Sequence, residues 1–148
     1  IDQSYLLSEK NPLVIEANNG SYKILSGPKD IIDKFNEKKK EAWEMIIAQE
    51  KSKSAPQELI DLRKNNFNKV GEFAINTNPK AKLCDYLIVN EKIARMIHVA
   101  LGSGFEPDRA TDYHTDIVIN SPRQKLDIYG LDSEGNEHWI IKKGEFVA

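Results

Sequence analysis

Four side chains in the second half of the sequence belong to residue types that bind divalent metal ions: Glu72, His98, His114 and Asp116. Imidazole and carboxylate groups together suit zinc, cobalt, manganese or ferrous iron, and this set contains no thiolate. A metal ion held by such groups can activate water for hydrolysis. Taken singly, each residue also has an ordinary structural interpretation, as a hydrogen-bonded histidine or a solvated carboxylate. A site with two ions would need at least one acidic residue beyond these four.

The alternation of side chains along a strand predicts on which face each of the four residues lies. Alternate side chains of a strand share a face, so residues 72–75, 98–101 and 114–119 each present their candidate ligands on one face. Alanine accompanies the candidate ligand in the first two segments, which leaves room for an ion and a substrate. The opposite faces are predicted to point into the core, and their apolar residues are Phe73, Ile75, Val99, Leu101, Ile117 and Ile119.

The first third of the sequence predicts a hairpin followed by two helices. Residues 12–25 surround the turn sequence Asn18-Asn19-Gly20, which is typical of a tight β-turn between two strands. A helix is expected after Pro28, up to the break at residues 52–54, and a second begins at Pro56. We expect Lys38 to Lys40 to form a solvated face of the first helix.

The remainder predicts short strands and loops. A brief helix is expected from Asn90 to Met96, a second hairpin joins residues 125–130 to 137–142, and residues 143–147 close the chain. Trp43 and Trp139 are predicted to anchor the core. This order indicates one domain over residues 1–148 of the α+β class, with a mixed or antiparallel, partly barrel-like sheet and two or three helices.

Composition narrows the functional classes. The chain has 148 residues, of which 40% are hydrophobic and 30% charged, as in an ordinary globular domain. The net charge of −2 indicates neither nucleic acid nor an anionic membrane as a partner. Cys84 is the single cysteine, which excludes an internal disulfide and favours the reducing cytoplasm.

Three stretches, GEFAINTNPKAK, LIVNEKIARMIHVALGSG and HTDIVI, resemble the C-terminal catalytic half of the aminopeptidase T family of metallopeptidases. The similarity covers about residues 71–119, with the motifs in the family's order. It implies a two-ion site of zinc, cobalt or manganese that removes N-terminal residues from peptides. Glu72, His98, His114 and Asp116 would be metal ligands, with Glu72 the best placed carboxylate for a general base. It also implies a homodimer and an N-terminal domain outside this chain.

The sequence departs from that family pattern at three places, one of which is the short loop between His98 and His114. The family's further ligand, a glutamate in a Pro-x-Gly-Glu motif, has no counterpart here, so we expect this chain to be the C-terminal domain of a longer, two-domain metallopeptidase. Some members use a tyrosine after the His-x-Ala-x-Gly strand. Phe105 stands near that position and cannot bind a metal ion, whereas Tyr113 directly precedes His114.

Two other functions fit the same residues. His98, His114 and Asp116 alone are the ligand set of a non-haem iron dioxygenase, which uses two histidines and one carboxylate. A non-catalytic dimerisation domain is the third interpretation, and the missing upstream glutamate favours it.

Overall fold

A computed structural model describes residues 5–147 and confirms the α+β class. The long helices are α1 (Lys29–Ser52) and α2 (Gln57–Asn66), and the short ones are α3 (Leu87–Asn90) and α4 (Ser121–Gln124). The strands are β1 (Val14–Asn18), β2 (Ser21–Ser26), β3 (Val70–Ile75), β4 (Ile97–Gly102), β5 (His114–Ile119), β6 (Ile128–Leu131), β7 (Glu137–Lys142) and β8 (Glu145–Phe146). They form three open sheets rather than one partly barrel-like sheet.

The chain divides into two compact units. The first comprises Ile1–Glu72 and Val99–Asp116, and the second comprises Phe73–His98 and Ile117–Ala148. The three strands β3, β4 and β5 form one sheet in that order, and each contributes residues to both units.

The first unit begins with the predicted hairpin. Strands β1 and β2 pair antiparallel, and Asn19 and Gly20 between them have φ angles of 48° and 73°. Positive φ at both turn positions is what a two-residue hairpin with matching strand twist requires, which explains the Asn-Gly sequence.

Helices α1 and α2 supply the core of the first unit. Both begin directly after a proline, Pro28 and Pro56. Lys53, the residue directly after α1, caps that helix in a left-handed conformation. The side chains of Ile46 and Ile60 are fully buried. Trp43, which we predicted as a core anchor, is 39% exposed and packs edge-on against Phe67.

Backbone hydrogen bonds set the strand directions at the edge of the first unit. The amide of Gly102, at the end of β4, donates to the carbonyl of Lys69, just before β3. The amide of Ser103 donates to the carbonyl of Tyr113, just before β5. Strand β4 therefore runs antiparallel to both neighbours.

The second unit contains the sheet β6-β7-β8, in which both pairs are antiparallel, as the second predicted hairpin requires. Trp139 is partly buried and stacks on Tyr129 across the pair. Ile141 is fully buried and forms part of the core of this unit, with Met96 and Ile97.

Two local predictions in the second unit were wrong. The brief helix expected from Asn90 onwards ends at Asn90, because the Asn90 side chain hydrogen-bonds the backbone amide and carbonyl of Cys84 instead of capping a following helix. Phe73 was expected to face the core, but its side chain is 57% exposed.

Within residues 5–147, no helix has the length and apolar character needed to cross a membrane.

Truncation of Ile46 tests the packing of the first unit. We expect Ile46→Ala to lower the free energy of unfolding by about 2–5 kcal/mol, because it removes buried methylenes and leaves a cavity. Urea denaturation measures this change. Met45→Ala is the matched control on the same helix, since Met45 is 53% exposed, and equal losses for the two variants would contradict the packing described.

Candidate metal centre

Three of the four predicted ligands meet in the first unit. Glu72 lies on β3, and His114 and Asp116 lie two residues apart on β5. Each offers one nitrogen or oxygen atom, and these atoms all lie within 4.8 Å of one another. All three side chains are partly exposed, so an ion from solvent can reach them.

Each ring nitrogen of His114 lies within hydrogen-bond distance of an oxygen atom. Its Nδ1 lies 2.7 Å from the backbone carbonyl oxygen of Ser103, and its Nε2 lies 2.8 Å from Oδ1 of Asp116. A carbonyl oxygen only accepts, so Nδ1 carries a hydrogen. The carboxylate beside Nε2 then requires either a second ring hydrogen or a cation between the two groups.

The donor set suits a divalent cation. Nitrogen and oxygen ligands about 2.0–2.1 Å from a tetrahedral zinc ion lie about 3.3 Å apart, so Nε2 and Oδ1, which are 2.8 Å apart, would separate slightly to admit the ion. The Ser103 carbonyl orients the ring from behind, which is the usual arrangement for a histidine that binds metal. Glu72, His114 and Asp116 could thus hold one ion.

Glycine at position 71 makes this arrangement possible. A Cβ atom at Gly71 would lie only 2.4 Å from the Ser103 carbonyl oxygen. No side chain fits there without displacing the backbone that orients the His114 ring. The Gly-Glu sequence therefore serves the site twice, because Glu72 offers a carboxylate and Gly71 leaves space for the Ser103 carbonyl.

The surroundings of His114 favour its charged form. Partial burial, the largest single effect, lowers the pKa of His114, but the hydrogen bond to Ser103 and the negative charges of Asp116 and Glu72 raise it more. The net result is a pKa above the ordinary value for histidine. The same negative charges that hold a proton on the ring would attract a metal cation.

The metal-free protein should therefore show a His114 ring that titrates above pH 6.5, the ordinary midpoint. Because this pKa is raised in the folded state, the stabilisation is complete below pH 6.5 and is lost as the pH rises through the His114 midpoint. NMR of the ¹⁵N-labelled imidazole, with a chelator present, measures the titration.

Asp116→Asn should lower the His114 midpoint and destabilise the protein more below pH 6.5 than at alkaline pH. Thr115→Val changes the intervening residue, whose side chain lies on the other face of β5 by strand alternation, and serves as the control. An unchanged midpoint in Asp116→Asn would contradict the pairing.

The lysine run of α1 differs from its prediction as a solvated face. Lys38 donates a hydrogen bond of 2.8 Å to the backbone carbonyl of His114, the start of β5. Lys39 is partly buried, donates to Oδ1 of Asn68, and lies over several aromatic rings. Burial lowers the pKa of Lys39. Only Lys40, whose side chain is 75% exposed, matches the expectation.

Tyr113 lies in the core of the first unit. Its ring is 4% exposed, and its hydroxyl donates to the carbonyl of Phe67 while paired with the Tyr22 hydroxyl. Burial raises the pKa of Tyr113, so its hydroxyl stays neutral. Phe105, near the family's tyrosine position, is 90% exposed.

Removal of the Tyr113 hydroxyl distinguishes a structural role from metal binding. We expect Tyr113→Phe to lower the free energy of unfolding by about 1–3 kcal/mol, since it leaves a buried carbonyl and hydroxyl without a partner. Zinc affinity, measured by calorimetry, should stay the same. A weaker affinity with unchanged stability would instead identify Tyr113 as a ligand.

His98 belongs to the second unit and is described there. It is 8% exposed, and its Nδ1 donates to Oδ1 of Asn76 at 3.1 Å. Asn76 was absent from the predicted site, although it lies four residues after Glu72 in the Thr-Asn-Pro region. Its part in orienting a histidine depends on strand pairing, through the hydrogen bond from its own amide to the Met96 carbonyl.

No protein-family model, curated protein or solved structure matches this chain. The resemblance to aminopeptidase T therefore stays a prediction.

Proposed function

We propose that this protein is a metal-dependent aminopeptidase, which hydrolyses N-terminal residues from peptides. One observation carries the proposal: His114 is held at Nδ1 by a backbone carbonyl, with carboxylates of Asp116 and Glu72 close to the ring. A bound divalent ion supplies Lewis-acid activation of water and of the peptide carbonyl. The family resemblance supports the same activity.

Each residue has a distinct role in this proposal. His114 and Asp116 hold the ion, with the Ser103 carbonyl fixing the ring's orientation. Glu72 accepts a proton from the attacking water and passes it to the leaving amine, as general base and then general acid.

The dioxygenase alternative receives less support from the geometry. An oxygenase triad uses two histidines and one carboxylate. The three residues that meet in the first unit are one histidine and two carboxylates, Glu72 and Asp116. This set therefore lacks the second histidine of that triad.

The remaining features of the proposal concern the whole protein. A second ion requires a carboxylate beyond those described, and we propose that an upstream domain provides it. We further propose a homodimer in the cytoplasm, where the exposed thiol of Cys84 would remain reduced.

Metal binding tests the site. We expect calorimetric titration with zinc or cobalt to give binding that weakens about tenfold or more in His114→Gln and Asp116→Asn, because each variant removes a ligand. His138→Gln is the matched control: His138 also pairs with a carboxylate, Asp132, at 3.0 Å, but on an exposed hairpin. Equal affinities in all variants would exclude a metal site at His114.

Aminopeptidase assays test the chemistry. Hydrolysis of leucine p-nitroanilide by the full-length protein should depend on added zinc or cobalt and be lost in Glu72→Gln. If Glu72→Gln keeps its metal, Glu72 acts as the base; if the metal is lost too, Glu72 is also a ligand. Activity that needs ferrous iron and dioxygen, without peptide hydrolysis, would contradict the peptidase proposal.

A further inference from the structure

The side chain of Lys38, on helix α1, reaches the first residue of strand β5. Its ammonium group donates a partly buried hydrogen bond of 2.8 Å to the backbone carbonyl of His114. Both residues belong to the first unit, and His114 is one of the three candidate metal ligands that meet there. This hydrogen bond therefore ties α1 to the backbone of a candidate ligand.

The place of β5 in its sheet explains why the His114 carbonyl takes its partner from a helix. The strand order is β3-β4-β5, so β5 is at the edge of the sheet. The carbonyl of Tyr113 accepts from the amide of Ser103 and so points towards β4. Successive carbonyls of an extended chain point to opposite sides, so the His114 carbonyl points away from β4. Lys38 supplies a donor on that outer side.

Neighbouring contacts hold this part of α1 in place. The ring of Phe35 packs edge-on against the ring of Tyr113, with the centroids 6.1 Å apart. The ammonium group of Lys39 lies 5.7 Å from the centroid of the same tyrosine ring. Positions 35, 38 and 39 have the spacing of neighbours on one side of a helix. Lys38 thus extends from a segment of α1 that already packs against the residue preceding His114.

Lys38 and Ser103 constrain His114 at different atoms. The Ser103 carbonyl accepts from Nδ1 of the ring at 2.7 Å, whereas Lys38 holds the backbone carbonyl. The direction of the ring depends on the position of the backbone as well as on the side-chain torsions. A shift of the backbone at this sheet edge would move Nε2 relative to the carboxylates of Asp116 and Glu72.

We propose that Lys38 is a positioning residue of the metal centre, because by fixing the His114 backbone it places Nε2 where it can bind an ion together with Asp116 and Glu72. The inference rests on the metal centre proposed above. In this role Lys38 acts through the backbone and is not itself a ligand. The sign of its effect is diagnostic: a lysine that acted by charge alone would repel a cation, so its removal would tighten metal binding. Removal of a positioning lysine weakens metal binding.

Calorimetric titration with zinc tests this sign. We expect Lys38→Met to weaken zinc binding about fivefold, less than the roughly 10- to 100-fold loss typical of direct partners of a ligand, because Lys38 acts on the backbone. Lys38→Arg keeps the charge and a donor and should stay within about twofold of wild type. Lys40→Met is the matched control: it removes a charge from the same helix at a side chain that is 75% exposed, where solvent screens it, and should also stay within about twofold. Unchanged or tighter zinc binding by Lys38→Met would overturn the proposal.

NMR of the metal-free protein separates this inference from the proposed function. The ring ¹⁵N signals of His114 should shift in Lys38→Met and stay in place in Lys40→Met, since Lys38 is the one of the two that contacts the His114 backbone. If wild-type protein binds no zinc, the proposed metal centre is wrong. If wild-type protein binds zinc but the ring signals of Lys38→Met are unchanged, only the role of Lys38 is wrong. Urea denaturation verifies that Lys38→Met is folded, and Lys38→Gln, whose side chain is one bond shorter and ends short of the carbonyl, replaces it if it is not.

Discussion

The carbonyl of Ser103 is the group on which the first unit's candidate site depends. It accepts the hydrogen bond from His114 Nδ1, and the amide of the same residue donates to the carbonyl of Tyr113. Strand pairing and imidazole orientation therefore use the same residue. A shift of β4 against β5 by one residue would lose both bonds and move His114 to the other face.

That dependence explains why Gly71 cannot be replaced freely. Its backbone lies so close to Ser103 that an added Cβ atom would meet the carbonyl oxygen at 2.4 Å. An alanine there would have to displace the Ser103 carbonyl, and the His114 ring would lose its orientation without any change in a ligand residue. The geometry of the site is thus a property of close backbone packing as much as of its polar side chains.

Local patterns in the sequence predicted the parts of the site that depend on one strand at a time. His114 and Asp116 share a face because they are two residues apart, and β5 has the predicted bounds, His114–Ile119. The Asn19-Gly20 turn was also predictable, since positive φ is a local requirement.

Contacts between distant segments were not predictable in this way. Lys38 reaches the carbonyl of His114, 76 residues later, and nothing in the lysine run distinguishes it from the exposed Lys40. Phe73 alternates correctly along β3 but is exposed, because alternation defines two faces and does not determine which of them is covered. The role of Asn76 depends on its hydrogen bond to His98, a residue 22 positions later in the sequence.

The two histidines share one arrangement with different consequences. Each has Nδ1 bonded to an oxygen acceptor, the Ser103 carbonyl for His114 and the Asn76 amide for His98. This places the hydrogen on Nδ1 and directs Nε2 to any further contact. A backbone carbonyl fixed by strand pairing can only orient the ring. The Asn76 amide belongs to a side chain, so the orientation of the His98 ring depends on that side chain as well as on the strand pairing that holds the Asn76 backbone.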